Sequence, residues 1–227
     1  MEVLDSIPVR LDLEKVLKQL HLRQISQYVE DTVQELIEIV RPIAKPKAIY
    51  EVSYIYDKNE YSLYIGGVKF TSRVLRVNLD KVERAFPYVA TCGRELDKIS
   101  VPSDDLMKNY YLDIIKGMVL RSARSHLEDY LTKNYALGQI SRMSPGSLED
   151  WPITQQKELF SIFGNVEDLI GVRLTENFLM SPLKSVSGIY FPTEIKFESC
   201  QLCPREGCSG RRAPYDPDLV KKYGENI

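Results

Sequence analysis

The sequence predicts an α+β fold with a mainly antiparallel sheet packed by helices. Three observations predict it. A long helical stripe runs from 103 to 132, and short β-branched and aromatic runs cluster at 49–79 and again at 172–191. Strand and helix signals also come in blocks that do not alternate, which argues against a doubly wound parallel sheet. At 227 residues the chain fits a single domain that can bury a full core without covalent staples. No period of 20–50 residues repeats, so a solenoid is not expected.

The elements follow in order. Residues 12–20 and 24–40 read as helices. In the second, Ile25, Tyr28, Val29, Val33, Leu36, Ile37 and Val40 recur at helical spacing before Pro42 and Pro46 break the pattern. The charged residues of 12–35 form the wet faces. Three short strands are then expected around Val52–Tyr56, Tyr61–Ile65 and Val74–Val77, cut by Asp57-Lys58-Asn59 and Gly66-Gly67. Phe86–Thr91 reads as a buried strand. The helix at 103–132 has Ser103 as its cap, with Asp104 and Asp105 near the positive end of the dipole. A polar loop covers 141–150, with Trp151 as a packing residue beyond it. A shorter helix covers 154–163, and strands are expected near 172–180 and 184–191. The boundaries predicted are N-terminal helices over 1–45, a core over 46–191 and a cysteine-containing tail over 192–227.

Composition excludes several classes. Thirty Lys+Arg against thirty-two Asp+Glu give a net charge of −2, so a strongly basic nucleic-acid surface is not expected. No apolar run approaches the roughly 18 residues of a membrane span. The start, MEVLDSIPVRLDLEK, has no apolar signal region, and a cytoplasmic location is expected. There is no glycine-rich nucleotide loop and no nucleophile elbow. No catalytic residue is assigned.

Two segments carry a denser pattern. Ser141-Arg142-Met143-Ser144-Pro145-Gly146-Ser147 reads as a tight turn whose backbone amides are free beside an arginine, a combination that can hold a carboxylate; a plain surface turn with a solvated arginine is the other reading. Leu174 to Phe191 reads as a β-hairpin with an irregular turn. Ser185, Ser187 and Gly188 there allow close approach of a ligand or a second backbone.

The run at 174–191 resembles the signature of the activation domain of vitamin B12-dependent methionine synthase, which runs roughly L-T-E-S, then M-x-P, then S-V-S-G-x-Y-F, with Asn177 here at the place of the first serine. Arg142-x-x-Pro145-Gly146 is similar to the same family's R-x-x-P-G turn. Val89-Ala90-Thr91-Cys92-Gly93 is similar to its A-T-x-G strand end. The three segments occur in the family's order. The resemblance implies one domain around a bent antiparallel sheet. It also implies S-adenosylmethionine binding, with Arg142 on the methionine carboxylate and Ser144, Pro145, Gly146, Ser147 and Tyr190 around the same ligand. The partner it implies is a corrinoid-binding protein or domain of methionine synthase that holds the cobalamin. An electron donor such as flavodoxin or ferredoxin would return its cobalt from Co(II) to Co(I), and S-adenosylmethionine would then remethylate it. The protein's part would be placement, the chemistry belonging to cobalt and sulfonium. The chain departs from the family at Ser147, where tyrosine is usual. Ser125 or its neighbours occupy the region of the family's acidic pocket residue, and Pro192-Thr193-Glu194 replaces the family's S-H-P.

The tail departs altogether. Cys200, Cys203 and Cys208 form C-x2-C-x4-C, a spacing that suits zinc or an iron–sulfur cluster, with Cys92 as the remaining thiol for a fourth ligand. Nearby Arg205, Arg211 and Arg212 would offset thiolate charge. The need for an electron favours iron–sulfur over zinc, and a reduced tail without metal is the plainer reading. The function expected is a reactivation module for a cobalamin-dependent methyltransferase. The alternative is an iron–sulfur or zinc-binding redox or docking protein on the same scaffold, without S-adenosylmethionine binding.

Overall fold

The structure is a computed structural model that describes residues 1–208 and 210–223. In chain order it runs β1 (Glu2–Leu4), α1 (Leu13–Gln19), α2 (Gln27–Ile43), β2 (Lys47–Tyr50), β3 (Ser53–Tyr56), β4 (Ser62–Ile65), β5 (Val68–Thr71), α3 (Arg73–Asn78) and β6 (Arg84–Thr91). Then come α4 (Leu106–Asn134), β7 (Ile140–Met143), α5 (Gln156–Ser161), α6 (Val166–Ile170), β8 (Arg173–Leu174), β9 (Met180–Ser181), β10 (Ser185–Pro192) and α7 (Pro217–Tyr223).

The architecture is α+β, and the pairings are antiparallel. β6 is the hub. One of its edges pairs with β10, which carries β7 on its far side. The other edge is shared: β2 pairs with Tyr88–Thr91 and β3 with Arg84–Ala85. The sheet therefore divides near Pro87 into a β2–β1 wing and a β3–β4–β5 wing. Glu51 N–H donates to the Pro87 carbonyl at 3.1 Å. A strand residue's N–H and C=O point to the same side, so the donor that Pro87 lacks faces the gap between β2 and β3. A proline in a central strand is tolerated in such a place.

Alternation along the strands sorts the core. One face carries Ala48, Tyr50, Phe86, Tyr88, Ala90, Ile140 and Tyr190 beneath Ala123, Leu127 and Leu131 of α4. The other packs Ile49 and Val89 on Phe163, Val166 and Ile170. Further along that face, Met143, Ile189 and Phe191 pack with Phe70, Trp151 and the tail residues Phe197, Leu202 and Tyr223. Trp151 is fully buried and meets Phe70 edge-on at 6.1 Å. Helices α1 and α2 pack on the first half of α4.

Several local expectations are corrected. Val74–Val77 lies in α3, because Ser72 and Asp150 together cap its start. The Ser72 hydroxyl accepts from Leu75 N–H, and the Asp150 carboxylate accepts from the amides of Arg73 and Val74 at 3.0 Å each. A cap from 76 residues away thus overrides β-branched propensity. Helix α2 passes Pro42 and ends at Ile43, and Ile25 and Tyr28 are exposed. The cap of α4 is Asp105, which accepts from Lys108 N–H at 2.9 Å, and not Ser103. Residues 174–191 do not form one hairpin: β8 and β9 pair with each other, while β10 pairs with β6 and β7. The start of the expected polar loop is strand β7. No helix among the described residues is long and apolar enough to cross a membrane.

Candidate functional site

The site begins with strand register. In the β7–β10 ladder Arg142 lies opposite Tyr190, and in the β10–β6 ladder Gly188 lies opposite Tyr88. Period-two alternation sends all four toward α4. The rings of Tyr88 and Tyr190 stack with centroids 4.6 Å apart and planes at 30°. Gly188 is required by crowding. A Cβ there would run into the Met143 carbonyl and lie 2.7 Å from the Ser144 hydroxyl and 3.1 Å from the Tyr88 ring.

Helix α4 supplies the charged lid of this pair. Arg124 and Glu128 are four residues apart and so share a helix face. Glu128 Oε2 is 3.7 Å from Arg142 Nη1 and accepts a long hydrogen bond of 3.5 Å from the Tyr190 hydroxyl. The Arg142 side chain is only 12% exposed. Burial alone would weaken its charged form, but Tyr88, Tyr190, Glu198 and Glu128 surround it and hold its pKa above the ordinary guanidinium value. Arg124 goes the other way. Burial first, and then the neighbouring Arg142, hold its pKa below the usual value. The phenol of Tyr190 is pushed well up by burial, then by Tyr88. The Tyr88 hydroxyl is buried and makes no complete hydrogen bond among the described residues, though Ser144 lies beside it.

The tail closes the outer side. Phe197 N–H donates to the Ser141 hydroxyl at 2.7 Å, and the Ser147 and Ser199 hydroxyls are 3.4 Å apart. Glu198 Oε2 pairs with Arg212 Nε at 2.9 Å. Three guanidiniums (Arg124, Arg142 and Arg212) and two carboxylates (Glu128 and Glu198) thus surround the stacked phenols. An arrangement of this kind can hold a small molecule that carries both a carboxylate and an ammonium group.

The turn after β7 differs from expectation. Gly146 N–H donates to Trp151 O at 2.7 Å, and Ser147 N–H donates to Ser144 O at 3.1 Å. The Ser147 hydroxyl also donates to Ser144 O, at 2.6 Å. The amides expected to be free are consumed by the turn itself. Pro145 is buried, while Gly146 and Ser147 are exposed on its outer side. The structure therefore brings Arg142, Ser144 and Tyr190 together and leaves Gly146 and Ser147 at the rim. Sequence reasoning missed Tyr88, Arg124, Glu128, Glu198 and Arg212. The Arg124–Glu128 pair was the available signal, a charged i,i+4 pair on the long helix. Two surface clefts, of about 380 Å3 beside Ile39 and Lys98 and of about 350 Å3 beside Tyr54 and Tyr56, lie elsewhere.

The expected thiolate set is not assembled. Among the described residues no three His, Cys, Asp or Glu side chains converge as metal ligands. Cys92 is fully buried at the end of β6, where burial, reinforced by Asp97, pushes its thiol up to about 12. Cys200, Cys203 and Cys208 are half-buried in the tail, whose Ser209 and residues 224–227 lie outside the described residues. Arg211 organises this loop where a metal was expected. Its guanidinium donates to the carbonyls of Cys200 and Cys203 at 3.0 Å, to Ala213 at 3.2 Å and to Arg205. The Arg212 guanidinium pairs with Glu198, while its backbone N–H donates to Cys200 Sγ at 3.5 Å. Lys184 pairs with Asp113 at 2.8 Å.

No curated protein matches the chain. Among solved structures, one described as "Crystal Structure of the MetH Reactivation Domain bound to AdoHcy" matches with a TM-score of 0.59 and 16% identity, over 88% of this chain and 81% of that chain. The fold is therefore that of the reactivation domain. Residues 124–199, from Arg124 on α4 through β7 and β10 to Ser199, match the model described as "Vitamin B12 dependent methionine synthase, activation domain".

Proposed function

We propose that the chain is a reactivation module for a cobalamin-dependent methyltransferase, and that it binds S-adenosylmethionine between α4 and the β6–β10–β7 part of the sheet. The observation that carries this reading is the placement of Arg142, nearly buried, across the ladder from Tyr190 and beside Glu128. The residues fit the amino-acid end of such a ligand. Arg142 offers a fork for the carboxylate, Glu128 an acceptor for the ammonium, and the Tyr88 hydroxyl a donor that the protein leaves unused. Gly188 lets the Met143–Ser144 segment pack close on the sheet, which sets Ser144 beside the Tyr88 hydroxyl. Gly146 and Ser147 contribute rim surface, their amides being engaged in the turn. The partner's corrinoid supplies the reduced cobalt that accepts the methyl group. This chain anchors the ligand's amino-acid end and keeps water from it, while the sulfonium is turned outward to the partner. A corrinoid-carrying protein or domain of methionine synthase, with a low-potential donor such as flavodoxin or ferredoxin, completes the system.

The test uses the full chain with the corrinoid domain of a methionine synthase in its Co(II) form, S-adenosylmethionine and a low-potential reductant. The expected result is loss of the Co(II) absorbance at a rate that depends on the chain and on S-adenosylmethionine. No acceleration by the chain overturns the proposal. Binding of the corrinoid domain without binding of S-adenosylmethionine would make the chain a docking protein.

A further inference from the structure

The geometry points to Arg124 as a second carboxylate-binding residue, which with Arg142 forms a two-guanidinium clamp for the free α-carboxylate of the ligand. The inference rests on the proposed binding of an S-adenosyl amino acid and deepens it by assigning the end of the ligand that sets affinity. Arg124 lies one helical turn before Glu128 on α4, whose Ala123 and Leu127 pack with Tyr88 and Tyr190 and whose Glu128 accepts from the Tyr190 hydroxyl. Glu128 lies within ion-pair distance of Arg142, and Glu198 within that of Arg212. Among the described residues no carboxylate lies within ion-pair distance of Arg124, whose charged neighbours are Arg142 and Arg212.

A half-buried guanidinium beside two others, with no anion of its own, is an unfavourable arrangement in the free protein. It becomes favourable when an anion is shared between Arg124 and Arg142. A ligand carboxylate has two oxygens and about four lone-pair sites, enough for donors from both forks. The ammonium group of the same ligand then falls on the Glu128 side. This orders the polar end as carboxylate against the two arginines and ammonium against the glutamate. It also means that removing the amino-acid end of the ligand should cost most of the contribution these three residues make to affinity.

Calorimetric titration of the full chain with S-adenosylhomocysteine and with 5′-methylthioadenosine, which lacks the amino-acid group, tests this. The wild type should bind the first ligand much more tightly than the second. Arg124→Ala should weaken S-adenosylhomocysteine on the order of 10- to 100-fold and leave 5′-methylthioadenosine within twofold. Arg124→Lys keeps the charge and the helix but not the fork, so it should fall between, with the same selectivity; it serves if the alanine variant does not fold. A wild type that binds both ligands equally, or an Arg124 variant that binds S-adenosylhomocysteine within twofold of wild type, overturns the clamp and leaves the ligand reading standing. A wild type that binds neither ligand overturns both.

Discussion

Arg142 on β7 faces Tyr190 on β10 as a directly paired residue of the sheet. Its backbone position is therefore set by ladder hydrogen bonds and not by the turn that follows, and the guanidinium is held in place before any ligand arrives. Arg142→Ala should weaken binding of S-adenosylhomocysteine by about 1.5–3 kcal/mol, and Arg142→Lys should recover little of it, because an ammonium cannot donate as a planar fork. Calorimetry of the two variants checks this; equal affinity in wild type and alanine variant would remove Arg142 from the site.

Gly188 is where the sheet admits no side chain. Gly188→Ala places a methyl against the Met143 carbonyl and the Ser144 hydroxyl, both part of the chain that leads from β7 into the turn. The variant should lose about 1–3 kcal/mol of stability and should also bind ligand more weakly, since Ser144 must move. Urea denaturation and calorimetry on the same preparation report the two effects separately.

Asp150 holds the start of α3 from a distance. Its carboxylate accepts from the Ser72 hydroxyl and from the amides of Arg73 and Val74. Asp150→Ala should cost about 1–2 kcal/mol, and Asp150→Asn less, because one acceptor oxygen remains. Chemical denaturation of the two variants should rank them in that order.

The N-terminal strand is fastened by a carboxylate. Glu2 accepts from the hydroxyls of Tyr130 and Tyr50, and these bonds hold its carboxyl below its usual 4.5, Tyr130 contributing most and Tyr50 next. A depressed carboxylate pKa stabilises the fold above the unfolded value and loses that contribution as pH falls through the folded one. The wild type should therefore lose more stability than Glu2→Gln between neutral pH and the acid side of 4.5, and the two curves should converge at low pH. Melting temperatures measured across that range check the sign.

Arg211 should act as the fastener of the cysteine loop. Arg211→Ala removes donors to four carbonyls, and Arg211→Lys cannot span them. Limited proteolysis should cut both variants between residues 200 and 213 faster than wild type, with the sheet core staying intact.

How much of this was legible in the sequence depended on where each signal came from. The long helix, the β6 strand and the region of β10 follow from local periodicity, and the structure has them at close to the expected places. Arg142 and Tyr190 were legible through a motif, because spacing fixes both residues. Several of the errors share one cause: the deciding contact comes from far along the chain. Val74 and Val77 look like strand residues until Asp150 caps them. β7 looks like loop because four residues with a buried arginine carry no period that a short window can detect. Arg124 and Glu128 carry no signal of their own on the long helix, and it is β7 that brings Arg142 within 3.7 Å of Glu128. The cysteine spacing suggested metal, whereas the loop is ordered by Arg211 and by the anchoring of Phe197, Leu202 and Tyr223 in the core.

Beyond β10 the chain folds back over the sheet. Thr193 N–H extends the β10–β7 ladder to Gln139 O at 2.9 Å, and Phe197 N–H reaches the Ser141 hydroxyl at 2.7 Å. Phe197, Leu202 and Tyr223 then upholster the layer that holds Met143, Ile189 and Phe191. Shortening the polypeptide after Pro192 would therefore strip that apolar patch bare and yield a sticky, self-associating product.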